Sequence, residues 1–248
     1  MAKPSLRANS IVVEFSGLRA LDNVNLTLNR GEILGLIGPN GSGKTTLINV
    51  LTGQVKPVSG SVSCDDQDIG LLLPRQRALR GIMRSFQTVR LFANLTVSEN
   101  IEVAAIAKGI SRRESRPVVD RLLEEFSLTD YRSELAGSLN YGDERRVEIA
   151  RALAAEPKYL LLDEPAAGMN EEESETLMQI LARLPKERDL GIVIIDHDMP
   201  LIMRLCHRLQ ALAQGKTIGE GGVEEVRRLP AVIEAYLGAD ALEAENHA

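Results

Sequence analysis

The sequence predicts an α/β fold built on a mainly parallel β-sheet, and three observations carry that prediction. Three short, almost wholly apolar runs, Ile33-Leu34-Gly35-Leu36-Ile37, Tyr159-Leu160-Leu161-Leu162 and Ile192-Val193-Ile194-Ile195, have the length of strands and no polar face, as strands covered on both sides require. Segments with apolar residues at helical spacing lie between them. Each run passes at once into glycine, acidic residues or histidine. In open parallel sheets ligands gather beyond the carboxyl ends of the strands, so these polar residues are candidates for one shared site.

Taken in order, residues 11–28 alternate apolar and polar positions (Val24, Leu26, Leu28) and read as half-buried strands. Ile33 to Ile37 is the first covered strand. Gly38 to Gly43 is a turn-rich loop, and Thr45 to Leu51 a helix that ends near Gly53. Pro57, Ser59 and Gly60 mark residues 55–68 as turns and short strands. From Ser98 the pattern becomes helical. Val118, Leu122, Leu123 and Phe126 keep helical spacing, and Asp143 to Ala155 forms another helix, with Asp143 suited to its start and Pro157 closing it. Lys108 to Arg121 is charge-rich, as a solvated helical face would be, and the Ala/Glu-rich tail 239–248 is expected to fray.

The 248 residues suit one large domain, and 44% hydrophobic residues suffice for a core, built from Leu, Ile, Val and Ala because aromatics are only 3%. A formal net charge of −6 and few aromatics argue against a nucleic-acid partner. Cys64 and Cys206 stand far apart in no metal-ligand spacing and read as reduced thiols. No apolar run reaches the roughly 18 residues of a membrane span, and residues 1–10 lack a secretory apolar stretch. A cytosolic location is therefore expected.

The motif with most chemical content is Gly38-Pro39-Asn40-Gly41-Ser42-Gly43-Lys44-Thr45-Thr46, a phosphate-binding P-loop pattern between a strand and a helix. Its glycines let the backbone curl so that several N–H groups face phosphate oxygens, assisted by the helix N-terminus. Lys44 reaches the outer phosphates, and the Thr45 hydroxyl is a Mg²⁺ ligand. The second motif is Leu160-Leu161-Leu162-Asp163-Glu164-Pro165. An Asp at the end of a buried strand needs a cationic partner, and Mg²⁺ is the natural one. Glu164 beside it is a candidate to orient or deprotonate a water. His197, in Ile195-Asp196-His197-Asp198, follows a third strand at the same edge, and Gln87 by itself carries no signal.

Together these residues resemble the ATP-binding cassette (ABC) family over nearly the whole chain. Gly38 to Thr45 matches Walker A, and Leu160 to Glu164 matches Walker B with its catalytic Glu. Gln87 falls at the Q-loop and His197 at the switch histidine. Leu139-Asn140-Tyr141-Gly142-Asp143 falls at the signature, and Ala167 to Asn170 at the D-loop. Asn140 stands for the family's Ser, Asp143 for Gln, Asn170 for Asp, and Asp196 where Glu often precedes the His. The resemblance implies a single cassette over 1–248: a RecA-like P-loop NTPase core, an N-terminal antiparallel β subdomain and a helical subdomain inserted at about 90–155. It implies ATP and Mg²⁺ as ligands. ATP would be bound by Phe15 (stacked on adenine), Asn40, Gly41, Ser42, Gly43, Lys44, Thr45, Thr46 and, across a dimer, Asn140 and Gly142. Mg²⁺ would be held by Thr45, Gln87 and Asp163, with Glu164, His197 and Gln87 serving hydrolysis.

A narrower resemblance is to the ATP-binding subunits of branched-chain amino acid importers (LivG-like), carried by Arg84 to Phe92, by Tyr141-Gly142 and by two C-terminal segments, Gly222 to Arg227 and Val232 to Gly238. It implies transmembrane permease partners, met near Gln87 and the helical segment up to Tyr131. It also implies a second ATPase subunit, identical or not, arranged head to tail, and a periplasmic or extracellular solute-binding protein acting indirectly. The chain would then sit on the inner face of the cell membrane. Related importers of urea or short amides share these features, as does a lipid-exporter ATPase. Soluble ABC ATPases of DNA repair and translation are disfavoured, because no coiled coil separates the motifs and only one cassette is present.

Overall fold

A computed structural model describes residues 4–85 and 88–236 of the chain. Two sheets organise it. The first is antiparallel, from β1 (Ser5–Phe15), β2 (Leu18–Asn29), β4 (Ser59–Cys64) and β5 (Gln67–Asp68), in the order β2-β1-β4-β5. The second is formed by β3 (Ile33–Ile37), β6 (Ile82–Arg84), β7 (Tyr159–Asp163), β8 (Gly191–Ile195), β9 (Arg208–Ala213) and β10 (Lys216–Gly222), in the order β10-β9-β3-β8-β7-β6. All its pairs are parallel except β9 with β10.

The apolar runs form β3, β7 and β8 because alternate residues enter two different cores. Leu160, Leu162, Ile192 and Ile194 pack with the helices on one face. Leu161, Val193 and Ile195 pack on the other face, against the antiparallel sheet and α1 (Lys44–Leu51). A strand buried on both faces has no polar position to alternate with.

Between β6 and β7 the chain is helical: α3 (Val97–Ala107), α4 (Arg112–Glu125) and α5 (Tyr141–Ala154). Local capping sets the starts. Thr96 and Glu99 form a reciprocal capping box on α3, and Ser111 and Glu114 do so on α4. The start of α5 differs from the sequence expectation. The helix begins at Tyr141, and its cap is Asn140, whose side-chain oxygen accepts from the Asp143 amide at 2.9 Å. Asp143 is three residues inside, on the first turn, where its charge faces the positive helix end.

Beyond β7 come α6 (Glu171–Arg188), α7 (Met199–Leu205) and α8 (Val223–Val226), with residues 230–236 also helical. Pattern reading does not single out α2 (Pro74–Leu79), β6, α6, α7 or the edge pair β9 and β10. β9 carries Arg208 and a fully buried Gln210, which interrupt its apolar run. Both reach remote groups: the Gln210 side-chain nitrogen donates to Asn25 O at 2.6 Å, and Arg208 pairs with Glu32 and Glu220. Among the described residues no helix is long and apolar enough to cross a membrane. Cys64 and Cys206 are both free and buried.

Candidate functional site

β3, β8 and β7 are neighbours in the sheet, so the loops after Ile37, Ile195 and Asp163 emerge side by side at its carboxyl edge. They enclose a cavity of about 210 Å³, lined among others by residues 40–46, Asp163, Glu164 and His197. Residues up to 157 apart in sequence, Asn40 and His197, thus share one small space. A larger cavity, about 640 Å³, lies between α6 and α7 and holds none of the loop 38–46. The smaller cavity, lined by the glycine-rich loop, is therefore the phosphate-binding candidate.

The loop is shaped by glycines at two places where no other residue fits. Gly38 has φ 145°, and a Cβ there would run into the carbonyl oxygen of Leu212. Gly43 has φ 106° and is the N-cap of α1, with no side chain to cover the helix start. The first-turn N–H groups of α1 therefore have no side-chain cap and lie along the cavity. The β9–β10 turn braces the loop from behind, through Gly215 N donating to Ser42 O at 3.1 Å.

Lys44 is buried, and its ammonium donates to Gly38 O at 2.6 Å and Pro39 O at 2.9 Å, inside the curl of the loop. Burial lowers its pKa, and the Asp163 and Glu164 carboxylates oppose that shift. The Ser42 hydroxyl is buried with no hydrogen-bond partner in the protein. An unsatisfied buried hydroxyl beside open backbone amides is a cost that a bound anion with acceptor oxygens would remove. The loop therefore fits a polyphosphate.

Asp163 ends β7 almost fully buried, and burial pushes its pKa up, opposed chiefly by Arg84. The Arg84 guanidinium lies 3.9 Å away and donates to Asn49 Oδ1 at 2.5 Å. The Asp163 amide donates to Ser85 Oγ at 3.1 Å. Thr45 and Asp163 line the same cavity and supply oxygen donors only, the hard donor set that suits Mg²⁺. Glu164 follows with φ 49°, the left-handed region that a non-glycine residue enters only when its surroundings hold it. Three contacts do so. Its amide donates to Ile195 O at 2.8 Å, its carbonyl accepts from Arg145 at 3.1 Å, and its carboxylate lies 2.9 Å from His197 Nε2.

The other sequence candidates lie elsewhere. Phe15 is half exposed at the end of β1 and does not line the cavity. Gln87 lies outside the described residues. Asn140 and Gly142 stand at the N-terminus of α5, away from the cavity lining. Beside them, Asp143 does not present a free negative charge. It is buried, ion-paired to Arg146, and its second oxygen accepts from the Asn140 amide at 2.8 Å. Gly142 lets the Glu173 carboxylate of α6 come close; a Cβ would stand 2.9 Å from its oxygen. Asn170 caps α6 in a reciprocal box with Glu173. Arg84, Ser85, Arg145 and Gly215 escaped sequence reasoning because each acts through a contact with a remote segment.

Residues 21–167 match the family model described as ABC transporter. The chain is 41% identical to the high-affinity branched-chain amino acid transport ATP-binding protein LivG of Escherichia coli K12, over 96% of this chain and 99% of that protein. It is 38% identical to the lipopolysaccharide export system ATP-binding protein LptB of the same organism, over 95% and 98%. Its fold is similar to the ADP conformation of MJ1267, an ATP-binding cassette of an ABC transporter. The TM-score is 0.84 at 33% identity, covering 96% of this chain and all of that one.

Proposed function

The chain belongs to the ABC transporter family as an ATP-binding, ATP-hydrolysing subunit, and from that premise we propose that it powers an importer of branched-chain amino acids or related small polar solutes. The observation that carries the catalytic part is the gathering of residues 40–46, Asp163, Glu164 and His197 around one cavity. The importer part is supported by the similarity to LivG.

In this reading the amides of the loop and of the α1 first turn receive the α- and β-phosphates, and Lys44 turns from the loop carbonyls to the outer phosphate oxygens. Thr45 and Asp163, with Gln87, would hold Mg²⁺, which would supply charge neutralisation to the phosphates. Glu164 accepts a proton from the attacking water. The water oxygen bonds to the γ-phosphorus as the bond to the β,γ-bridging oxygen breaks, giving ADP and phosphate. His197 holds the Glu164 carboxylate in line. Phe15, beyond the phosphate cavity, covers the base. Asn140 and Gly142 do not line their own chain's cavity, which supports a site completed by the signature of a second subunit placed head to tail. Closure then requires the γ-phosphate, and hydrolysis releases it.

The partners are transmembrane permeases that seat the subunit on the inner membrane face, with a solute-binding protein outside. The similarity to LptB favours one second reading, the ATPase of a lipid exporter. Co-expression with candidate permeases decides. Turnover stimulated by a leucine-loaded binding protein in proteoliposomes supports the importer. Stimulation only with exporter permeases and lipid substrate overturns it.

A further inference from the structure

Gly38 is gripped from both sides. Its carbonyl accepts from Lys44, and its N–H donates to the hydroxyl of Tyr236 at 2.8 Å, 198 residues away. The parallel ladder between β3 and β9 ends at the pair Ile37 and Ala211. The amide of Gly38, the next residue, is taken by a phenol, at the point where the chain leaves the sheet to curl. We propose that Tyr236 is a positioning residue for the phosphate-binding loop, so that nucleotide binding and docking of segment 223–236 are thermodynamically linked.

The segment is built to deliver that hydroxyl. Val226 and Val232 are buried. Leu229 packs over Gly219 of β10 so closely that a Cβ there would stand 2.5 Å from its Cδ1. Tyr236 packs against the same core, and its burial raises the phenol pKa, so the hydroxyl remains neutral at ordinary pH. Gly38 can take no side chain, because Leu212 O occupies the space, so the hydrogen bond from its N–H is the means by which a remote segment can set this peptide. When a phosphate draws Lys44 off Gly38 O, one of the two grips is released and the phenol remains. A loop whose root is already fixed loses less freedom on binding its ligand. By reciprocity the ligand strengthens the docking of the segment.

The proposal rests on reading 38–46 as the phosphate cradle, and the test separates the two. Tyr236→Phe removes one hydroxyl and keeps the ring. The Kd for ATP, measured without turnover in EDTA, should rise about three- to tenfold, the value of one hydrogen bond. Hydrogen–deuterium exchange of residues 223–236 should slow on adding ATP to the wild type and change little in the variant. A Kd within twofold of wild type, or equal protection by ATP in both, overturns the proposal. So does a variant whose segment exchanges freely without nucleotide, since the tyrosine would then serve only to hold the segment down. Lys44→Ala is the control. If it binds ATP as the wild type does, the cradle reading itself fails; if it loses binding while Tyr236→Phe does not, only the role of Tyr236 is lost.

Discussion

The guanidinium of Arg145, on the first turns of α5, donates at 3.1 Å to the main-chain carbonyl of Glu164, the residue whose carboxylate meets His197. Arg145 is itself fully buried and paired with buried Glu148 at 2.7 Å. One side chain therefore ties the helix headed by Asn140 to a strained residue at the cavity.

Removing Arg145 alone should be costly for stability. Arg145→Met leaves the Glu148 charge buried, and should lose about 3–5 kcal/mol. The double variant Arg145→Met, Glu148→Met removes both charges and should recover most of that loss. Turnover should remain roughly tenfold down, because the Glu164 peptide has lost a support. Thermal denaturation and ATPase assays on the three proteins check this; full activity in the double variant would remove Arg145 from the catalytic geometry.

Glu164→Gln keeps the shape of the side chain and abolishes its basicity. Turnover should fall by at least about a hundredfold, while ATP binding stays within a few-fold of wild type. Steady-state ATPase beside equilibrium binding separates the two effects.

At the head of α5, Asn140→Ala removes the cap on Asp143 N and leaves Asp143 with Arg146. A loss of about 1 kcal/mol is expected. Asn140→Ser keeps a capping oxygen and should recover most of it. Denaturant unfolding of both variants measures the difference.

Asp65 joins the antiparallel sheet to β7, accepting from Tyr159 OH at 2.6 Å, Arg30 at 2.5 Å and Lys158 at 3.0 Å. Burial pushes its carboxyl up, but the bonds from Tyr159, Lys158 and Arg30 outweigh it and hold the pKa below the ordinary 3.8. A carboxyl lowered on folding stabilises above its unfolded pKa, and that stability is lost as pH falls through the folded value. Asp65→Asn should therefore cost about 1–2 kcal/mol at neutral pH. The gap from wild type should close below about pH 3.8. Urea unfolding at pH 7, 5 and 3 reads it; a gap that widens in acid contradicts the assignment.

Local chemistry in the sequence accounts for much of the site. The turn Gly38 to Gly43 carries its own geometry, because only glycine tolerates the backbone at Gly38 and Gly43. The runs ending at Ile37, Asp163 and Ile195 declare themselves as covered strands by having no polar face. Their carboxyl ends, and so Lys44, Asp163, Glu164 and His197, follow as neighbours once a parallel sheet is assumed. β9 and β10 were not legible, because Arg208 and Gln210 disguise a buried strand until their remote partners are seen. Tertiary structure alone decided the rest. It set Arg84 against Asp163, carried Arg145 to the Glu164 carbonyl, and brought Tyr236 across 198 residues to Gly38. Periodicity and turn chemistry are properties of a few adjacent residues and can be read in sequence. A hydrogen bond between distant segments exists only after the core has packed, and no local pattern encodes which two residues it will join.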